Sequence, residues 1–343
     1  MARIGILTGG GDCPGLNAVI RAVVRKGCEV HGDQIIGFRN GWRGVLDGQV
    51  MELTPQSARG ILHRGGTILG TSRTNPFKIE GGLELVKENL AAYNIEGLIV
   101  VGGEGTLGCA ATMWREGVNV IGVPKTIDND LAATDYTFGF DTAVQIATDA
   151  IDRLHTTAES HNRVMLLEVM GRHAGWIGLY SGLAGGADVI LVPEHPFDIA
   201  QVVNHLRHRH SGGHSFSIVV VSEGALPKEG TMETPEYERD EFGRPRLGGI
   251  SQLIADQIQH RTGFDTRVTI LGHVQRGGTP TAFDRILATR YGVAAIDRAS
   301  AGEWGTMVSL RGNEVVTSTL DDAVGKLKTV PQELYELAEV FFG

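Results

Sequence analysis

A chain of 343 residues exceeds the roughly 250–300 at which one hydrophobic core stops growing, so two lobes with a cleft between them are expected. With 42% hydrophobic and 21% charged residues it is neither disordered nor fibrous, and a formal net charge of −9 argues against a broad nucleic-acid or anionic-membrane surface while allowing a local arginine cluster for phosphate. Cys13, Cys28 and Cys109 lack metal-binding spacing and suit a reducing compartment; no run of about 18 apolar residues occurs, and MARIGILTGGGD reaches a glycine turn too soon for a signal peptide, so a cytoplasmic protein with no membrane partner is expected.

Short apolar, β-branched runs follow one another along the chain: RIGILTGGGD, EGLIVVGGEGT, VNVIGVPKTIDND, RVMLLEVMGR, ADVILVPEH, FSIVVVSEG and RVTILGHVQRGG. Continuous apolar runs suit parallel strands covered on both faces. Helical patterns lie between them. In DTAVQIATDAIDRLHTTAE, Ala143, Ile146, Ala147, Ala150, Ile151 and Leu154 recur at three- and four-residue steps on one face. The alternation predicts a doubly wound α/β architecture, in which ligands bind beyond the carboxyl ends of strands, where every unusual polar cluster of this chain falls. Residues 228–249, polar and proline-bearing, read as a surface excursion, and PQELYELAEVFFG as a C-terminal helix packed on a lobe.

TGGGDCPGLNAVIRAVVR is a strand end, a glycine turn and a helix start, a geometry that serves phosphate binding and a tight turn equally well. Pro14 stands where a dinucleotide fingerprint needs its third glycine, and no GxxxxGK[ST] occurs. VGGEGT embeds Glu104 in a second glycine turn, an arrangement open to Mg²⁺ plus substrate phosphates or to a solvated acid. In PKTIDND an aspartate can accept a proton from a substrate hydroxyl while a second one holds a metal or tunes the first. EVMGRHAG, GHVQRGG, SHNRV and LGTSRTNPF bring Arg172, Arg276, Arg163 and Arg73, which with Arg267 make five planar forks suited to phosphate in a net-acidic chain. His273 fits either a local hydrogen bond or a ligand contact. Glu223 fits either a turn or a sugar hydroxyl.

Taken together, GGGDCPGLNAVIR, GGEGT, PKTIDND, HNRV, EVMGRHAG, SEG and LGHVQRGG resemble the 6-phosphofructokinase family in order, from about residue 3 to about residue 310. The resemblance implies two discontinuous Rossmann-like lobes: 1–140 plus about 275–320 for the nucleotide and 141–274 plus about 321–343 for the sugar phosphate, with the site in the cleft between them. It also implies transfer of a phosphoryl group to the 1-hydroxyl of fructose 6-phosphate with Mg²⁺. Asp128 would be the base, Thr126 and Asp130 would hold substrate and metal, and Arg172 and Arg73 would steady the migrating group, consistent with phosphoryl transfer by positioning and charge neutralisation. Gly10, Gly11, Thr74, Gly103, Glu104, Gly105 and Thr106 would line the nucleotide side, and Met170, Gly171 and Glu223 the sugar. His273 and Arg276 match contacts to the 6-phosphate. Arg163 and Arg267 match arginines reaching in from a neighbouring subunit, which implies a homodimer or homotetramer, and Arg21 and Arg25 resemble effector-site arginines of some relatives, though they fit a plain charged surface as well.

Two positions depart from the common pattern. Glu104 replaces the usual metal aspartate. Gly105 is of the ATP type whereas Lys125 is of the pyrophosphate type; glycine leaves the path of adenosine open, so ATP is the expected donor and pyrophosphate the alternative. A NAD kinase or lipid kinase relative shares only the GGEGT-like loop, and a non-catalytic paralogue would have no use for Asp128 and Asp130.

Overall fold

The computed structural model describes residues 2–232 and 248–342, so most of the 228–249 excursion lies outside the described residues. In chain order the elements are β1 (Arg3–Thr8), α1 (Leu16–Lys26), β2 (Gln34–Phe38), α2 (Trp42–Leu46), β3 (Val50–Leu53), α3 (Gly82–Ala92), β4 (Gly97–Gly102), α4 (Glu104–Arg115) and β5 (Val120–Pro124). There follow α5 (Phe140–His161), β6 (Val164–Val169), α6 (Trp176–Ala184), β7 (Val189–Leu191), α7 (Ile199–Ser211), β8 (Ser217–Ser222), α8 (Ile250–Thr262) and β9 (Thr266–Ile270). The chain ends in α9 (Ala282–Ser300), β10 (Thr306–Arg311), β11 (Glu314–Thr319), α10 (Leu320–Val324) and α11 (Gln332–Glu339).

These elements form two α/β units of Rossmann-like type. The first comprises 1–142 and 276–327, the second 143–275 and 328–343. The chain thus changes unit inside α5, after Gln275 and after Leu327, where the sequence reading placed the changes near 140, 275 and 320.

Unit 1 carries a seven-stranded sheet in the order β11-β10-β5-β4-β1-β2-β3. The strands β10, β5, β4, β1 and β2 run parallel, and β4 and β5 are buried throughout, as their unbroken apolar runs require. Both edges are antiparallel: β3 folds back on β2 and β11 on β10. Neither edge appears among the apolar runs, because EVVTST and VMEL mix polar and apolar residues, as a strand with one solvated face does.

Unit 2 carries a four-stranded, all-parallel sheet in the order β7-β8-β6-β9. Its core joins Leu166, Leu191, Val219 and Val221 to Ile199, Val203 and Leu206 of α7 and Ile254 and Ile258 of α8. The run RVTILGHV was read as a strand covered on both faces. Instead β9 is an edge strand that exposes Arg267 and Ile270.

Candidate active site

In unit 1 the registers of β1, β4 and β5 decide what meets. Thr8 lies opposite Val101 and Gly102 opposite Pro124, so the three strands end side by side and the turns after them open from one edge of the sheet. Gly9 N donates to Val101 O (2.9 Å) and Lys125 N to Gly102 O (3.0 Å), tying each turn to the next strand. The Thr106 hydroxyl lies under Gly9, where any Cβ would be within 2.8 Å of it. Backbone N–H groups at the start of α4 carry the positive end of a helix dipole, and no side chain caps them.

The segment with Arg73 and Thr74 is drawn to the same edge by hydroxyls. Thr8 Oγ1 donates to Gly70 O (2.8 Å), Thr71 Oγ1 to Gly10 O (2.6 Å), and Gly10 N to Ser72 O (2.9 Å). Buried Asn17 holds the preceding turn, donating to Arg64 O (3.0 Å) and accepting from Ile68 N (2.9 Å). Asn17 and Thr71 were not among the residues picked out in the sequence, since their partners lie some fifty residues or more away.

Lys125 is 3% exposed, and its Nζ donates to Gly11 O at 2.5 Å. Burial pulls its pKa below the ordinary lysine range, reinforced by the Arg276 guanidinium and opposed by Cys13, Asp128 and Asp12. Among the described residues it makes no ion pair, so its amine sits beneath the glycine turn without an anionic partner at contact distance. Arg276, expected with the sugar phosphate, packs its guanidinium against Gly11.

The loop after β5 presents the carboxylates. Thr126 Oγ1 accepts from Asp128 N (3.1 Å) and also bonds Asp130. Loss of water, then the charge of Asp128, then that of Glu104 push the Asp130 carboxyl up to about 7, so the three acids share one electrostatic neighbourhood. Asn129 between them adopts a left-handed backbone (φ 51°), tolerated by asparagine better than by most residues. Its Oδ1 accepts from Thr137 N (3.1 Å), and Thr137 Oγ1 donates to Thr126 O (2.7 Å), closing the loop on itself. Asn129 stands out in the sequence as a polar residue flanked by two acids, whereas nothing there marks Thr137.

Among the described residues no three His, Cys, Asp or Glu side chains are gathered closely enough to hold a metal ion alone. That fits Mg²⁺, which takes one or two protein carboxylates and completes its shell with phosphate oxygens and water. The charges of Asp128 and Glu104 both bear on Asp130, a repulsion that a divalent ion bound there would relieve. Elsewhere in unit 1, Arg21, Arg25 and Arg59 line a cavity of about 250 Å³, in which Arg25 pairs with Glu29 at 2.9 Å.

In unit 2, β6 and β8 end side by side with Val169 opposite Ser222, which places Met170, Gly171 and Arg172 beside Glu223. Glu223 N donates to Val169 O (2.8 Å) and Gly224 N to Gly171 O (3.1 Å). Gly224 has no room for a side chain, because a Cβ would lie against the carbonyls of Gly171 and Arg172. Fully buried Gln275 accepts from Met170 N (3.3 Å) and donates to Gly272 O (3.2 Å), which binds the exposed His273 turn to the same strand end. Arg163 and Arg267 lie apart from this cluster and share one partner, Asp265. Arg163 Nε reaches its Oδ2 at 2.6 Å and Arg267 Nη1 its Oδ1, and donation from Arg163, foremost, lowers the pKa of that acid. Asp265 was another residue the sequence reading omitted.

The phosphofructokinase pattern matches residues 3–299, a span that takes in all of these turns. The chain belongs to the phosphofructokinase family. It is 60% identical to a pyrophosphate–fructose 6-phosphate 1-phosphotransferase of Amycolatopsis mediterranei over 341 residues, covering 99% of this chain and 100% of that protein. It is 54% identical to an ATP-dependent 6-phosphofructokinase of Corynebacterium efficiens, covering 99% of each. Among solved structures, phosphofructokinase from Saccharomyces cerevisiae superposes with a TM-score of 0.81 at 31% identity over 99% of this chain, which spans 47% of the yeast chain. Family membership makes the chain an enzyme of the phosphofructokinase type, and relatives of both donor classes stand near it. No helix among the described residues is long and apolar enough to cross a membrane.

Proposed function

We propose that the protein transfers a phosphoryl group to the 1-hydroxyl of fructose 6-phosphate with pyrophosphate as donor. Asp128 carries the reading: its N–H donates to Thr126 Oγ1, and its charge helps to raise the Asp130 carboxyl on the same loop. In this mechanism Asp128 accepts the hydroxyl proton as the oxygen attacks one phosphorus of pyrophosphate, the bridging P–O bond breaks and orthophosphate leaves. Gly9–Gly11, Arg73, Thr74 and the start of α4 bind the donor phosphates. Met170, Gly171, Glu223, His273 and Arg276 orient the sugar phosphate, and Arg172 with Arg73 neutralises charge on the moving group. Glu104 and Asp130 would hold Mg²⁺, which supplies further charge neutralisation at the phosphates when bound.

Lys125 favours pyrophosphate. A buried ammonium without an anionic partner costs several kcal/mol of lost hydration, and a compact all-phosphate donor returns that partner. The relative from Amycolatopsis carries the pyrophosphate name at 60% identity. ATP is the second reading, favoured by Gly105, which is exposed and has nothing within 4 Å of its Cβ direction, so no side chain stands at this position to oppose a nucleotide. A homodimer or homotetramer in the cytoplasm completes the reading, with Arg163 and Arg267 serving a neighbour's sugar site.

Parallel assays with fructose 6-phosphate, Mg²⁺ and either donor, with the product identified as the 1,6-bisphosphate by ³¹P NMR, test this. Turnover with pyrophosphate is the expected result. Turnover with ATP alone transfers the donor to the second reading, and no turnover with either ends both.

A further inference from the structure

The loop that carries Met170, Gly171 and Arg172 is held at its two ends by different parts of unit 2. Its first half is fixed by the end of β8 and by Gln275, as described above. Its second half is tied by Glu194 and by Trp176. Both carboxylate oxygens of Glu194 accept from Gly175 N, at 3.0 and 3.1 Å, and the same carboxylate accepts from Val330 N at 2.8 Å. Among the described residues Glu194 makes no ion pair, so it serves as an anionic bridge between two backbone N–H groups 155 residues apart.

Val330 belongs to the C-terminal segment 328–342, which is strapped over unit 2 at several points. Trp176, the residue after Gly175, donates from Nε1 to Lys328 O (2.8 Å), and Lys328 Nζ lies 5.3 Å from the centre of its ring. Tyr335 donates to Ile190 O (3.1 Å) and stacks on His195 at 4.1 Å between ring centres. Val330, Tyr335 and Ala338 are buried. The strap therefore touches the loop at Gly175, through Glu194, and at Trp176, and both points follow Arg172 within four residues.

We propose that Glu194 is a positioning residue for the sugar-phosphate site, transmitting the docking of the 328–342 strap to the loop that bears Arg172. The inference rests on the reading that this loop handles the sugar phosphate. If strap docking pre-sets the loop, linkage requires that ligand on the loop tighten the strap in return.

Glu194→Gln keeps the shape, removes the charge and turns an N–H₂ toward one of the two backbone donors. One charge-assisted hydrogen bond is thereby lost, which converts to a rise of about tenfold in the KM for fructose 6-phosphate. The donor KM should stay within twofold and the melting curve close to that of the wild type. Trp176→Phe removes the other tether without touching Glu194 and should move the sugar KM in the same direction by a smaller factor. In hydrogen-exchange mass spectrometry, fructose 6-phosphate should slow exchange across 330–342 in the wild type, and Glu194→Gln should abolish that protection. The inference is overturned if the wild type turns over fructose 6-phosphate yet the strap exchanges at a rate independent of the sugar phosphate, or if a folded Glu194→Gln keeps its sugar KM within twofold. Should Glu194→Gln fail to fold, the exchange of the wild type and the kinetics of Trp176→Phe decide. A wild type inert toward fructose 6-phosphate with either donor overturns the site reading and this inference together.

Discussion

Replacing Lys125 by methionine tests whether the buried amine serves the donor. The substitution keeps the length and apolar bulk of the side chain and deletes the ammonium under the glycine turn. The hydrogen bond to Gly11 O is lost, at about 1 kcal/mol, while the burial penalty that already lowers the lysine's pKa is relieved, so the melting temperature should move by only a few degrees. The kinetic effect should be larger. An ammonium about 5 Å from one phosphate charge is worth roughly 3 kcal/mol at an effective dielectric of about 20, and at 3% exposure little of this is screened. A fall of about 30- to 150-fold in kcat/KM for pyrophosphate is expected, with a smaller fall for any ATP turnover because a nucleotide draws binding energy from its base and ribose. Steady-state assays with each donor at saturating fructose 6-phosphate read this. A variant whose pyrophosphate kcat/KM stays within threefold of the wild type would refute the claim that the buried cation serves the donor.

The other expected outcomes follow from single side chains. Gly105→Asp has room in the protein, so it should fold normally, and any ATP turnover should weaken by about tenfold or more while pyrophosphate turnover changes little; equal losses with both donors would remove the steric argument. Asp128→Asn should lower kcat by about 10²–10⁴ with the sugar KM within severalfold, and retained kcat would dismiss Asp128 as the base. Asp284 is a purely structural test. This fully buried acid at the start of α9 accepts from Thr142 N (2.8 Å) and Thr142 Oγ1 (2.6 Å), and burial pushes its carboxyl up to about 6 against those two donors. Between about pH 4 and 6 the folded chain therefore holds a proton that the unfolded chain has released, so stability falls as pH rises through that window. Asp284→Asn mimics the protonated form and should gain up to about 3 kcal/mol over the wild type by pH 8, and urea-unfolding curves that stay parallel from pH 4 to 8 would contradict it.

The parts of the fold that could be read in advance are those where one residue property suffices. The strands β1, β4, β5, β6 and β8 are unbroken apolar runs because both faces are covered, and the turns after them declare themselves by glycine and aspartate. The antiparallel edges β3 and β11 were invisible, since a half-solvated strand lacks such a run. The edge strand β9 was misread as covered, because Val268 and Ile270 resemble core residues and only the sheet order shows that no strand among the described residues pairs beyond them. At the site, the residues that touch ligands in the proposed mechanism carry recognisable chemistry. Asn17, Thr71 and Glu194 hold them in place through hydrogen bonds to distant backbone, and no local pattern marks such a residue.

The parallel pairing of β10 with β5, Thr306 against Ile121, has a consequence for the chain as it leaves the ribosome. The edge of β5 emerges about 180 residues ahead of its partner, and at about 5–20 residues per second it stays open for roughly 10–40 s. During that interval the nascent chain offers an apolar strand to any passing segment, and the sheet of unit 2 can close before that of unit 1 is complete. Chaperone engagement in the cell should therefore concentrate on β5 until β10 has been made.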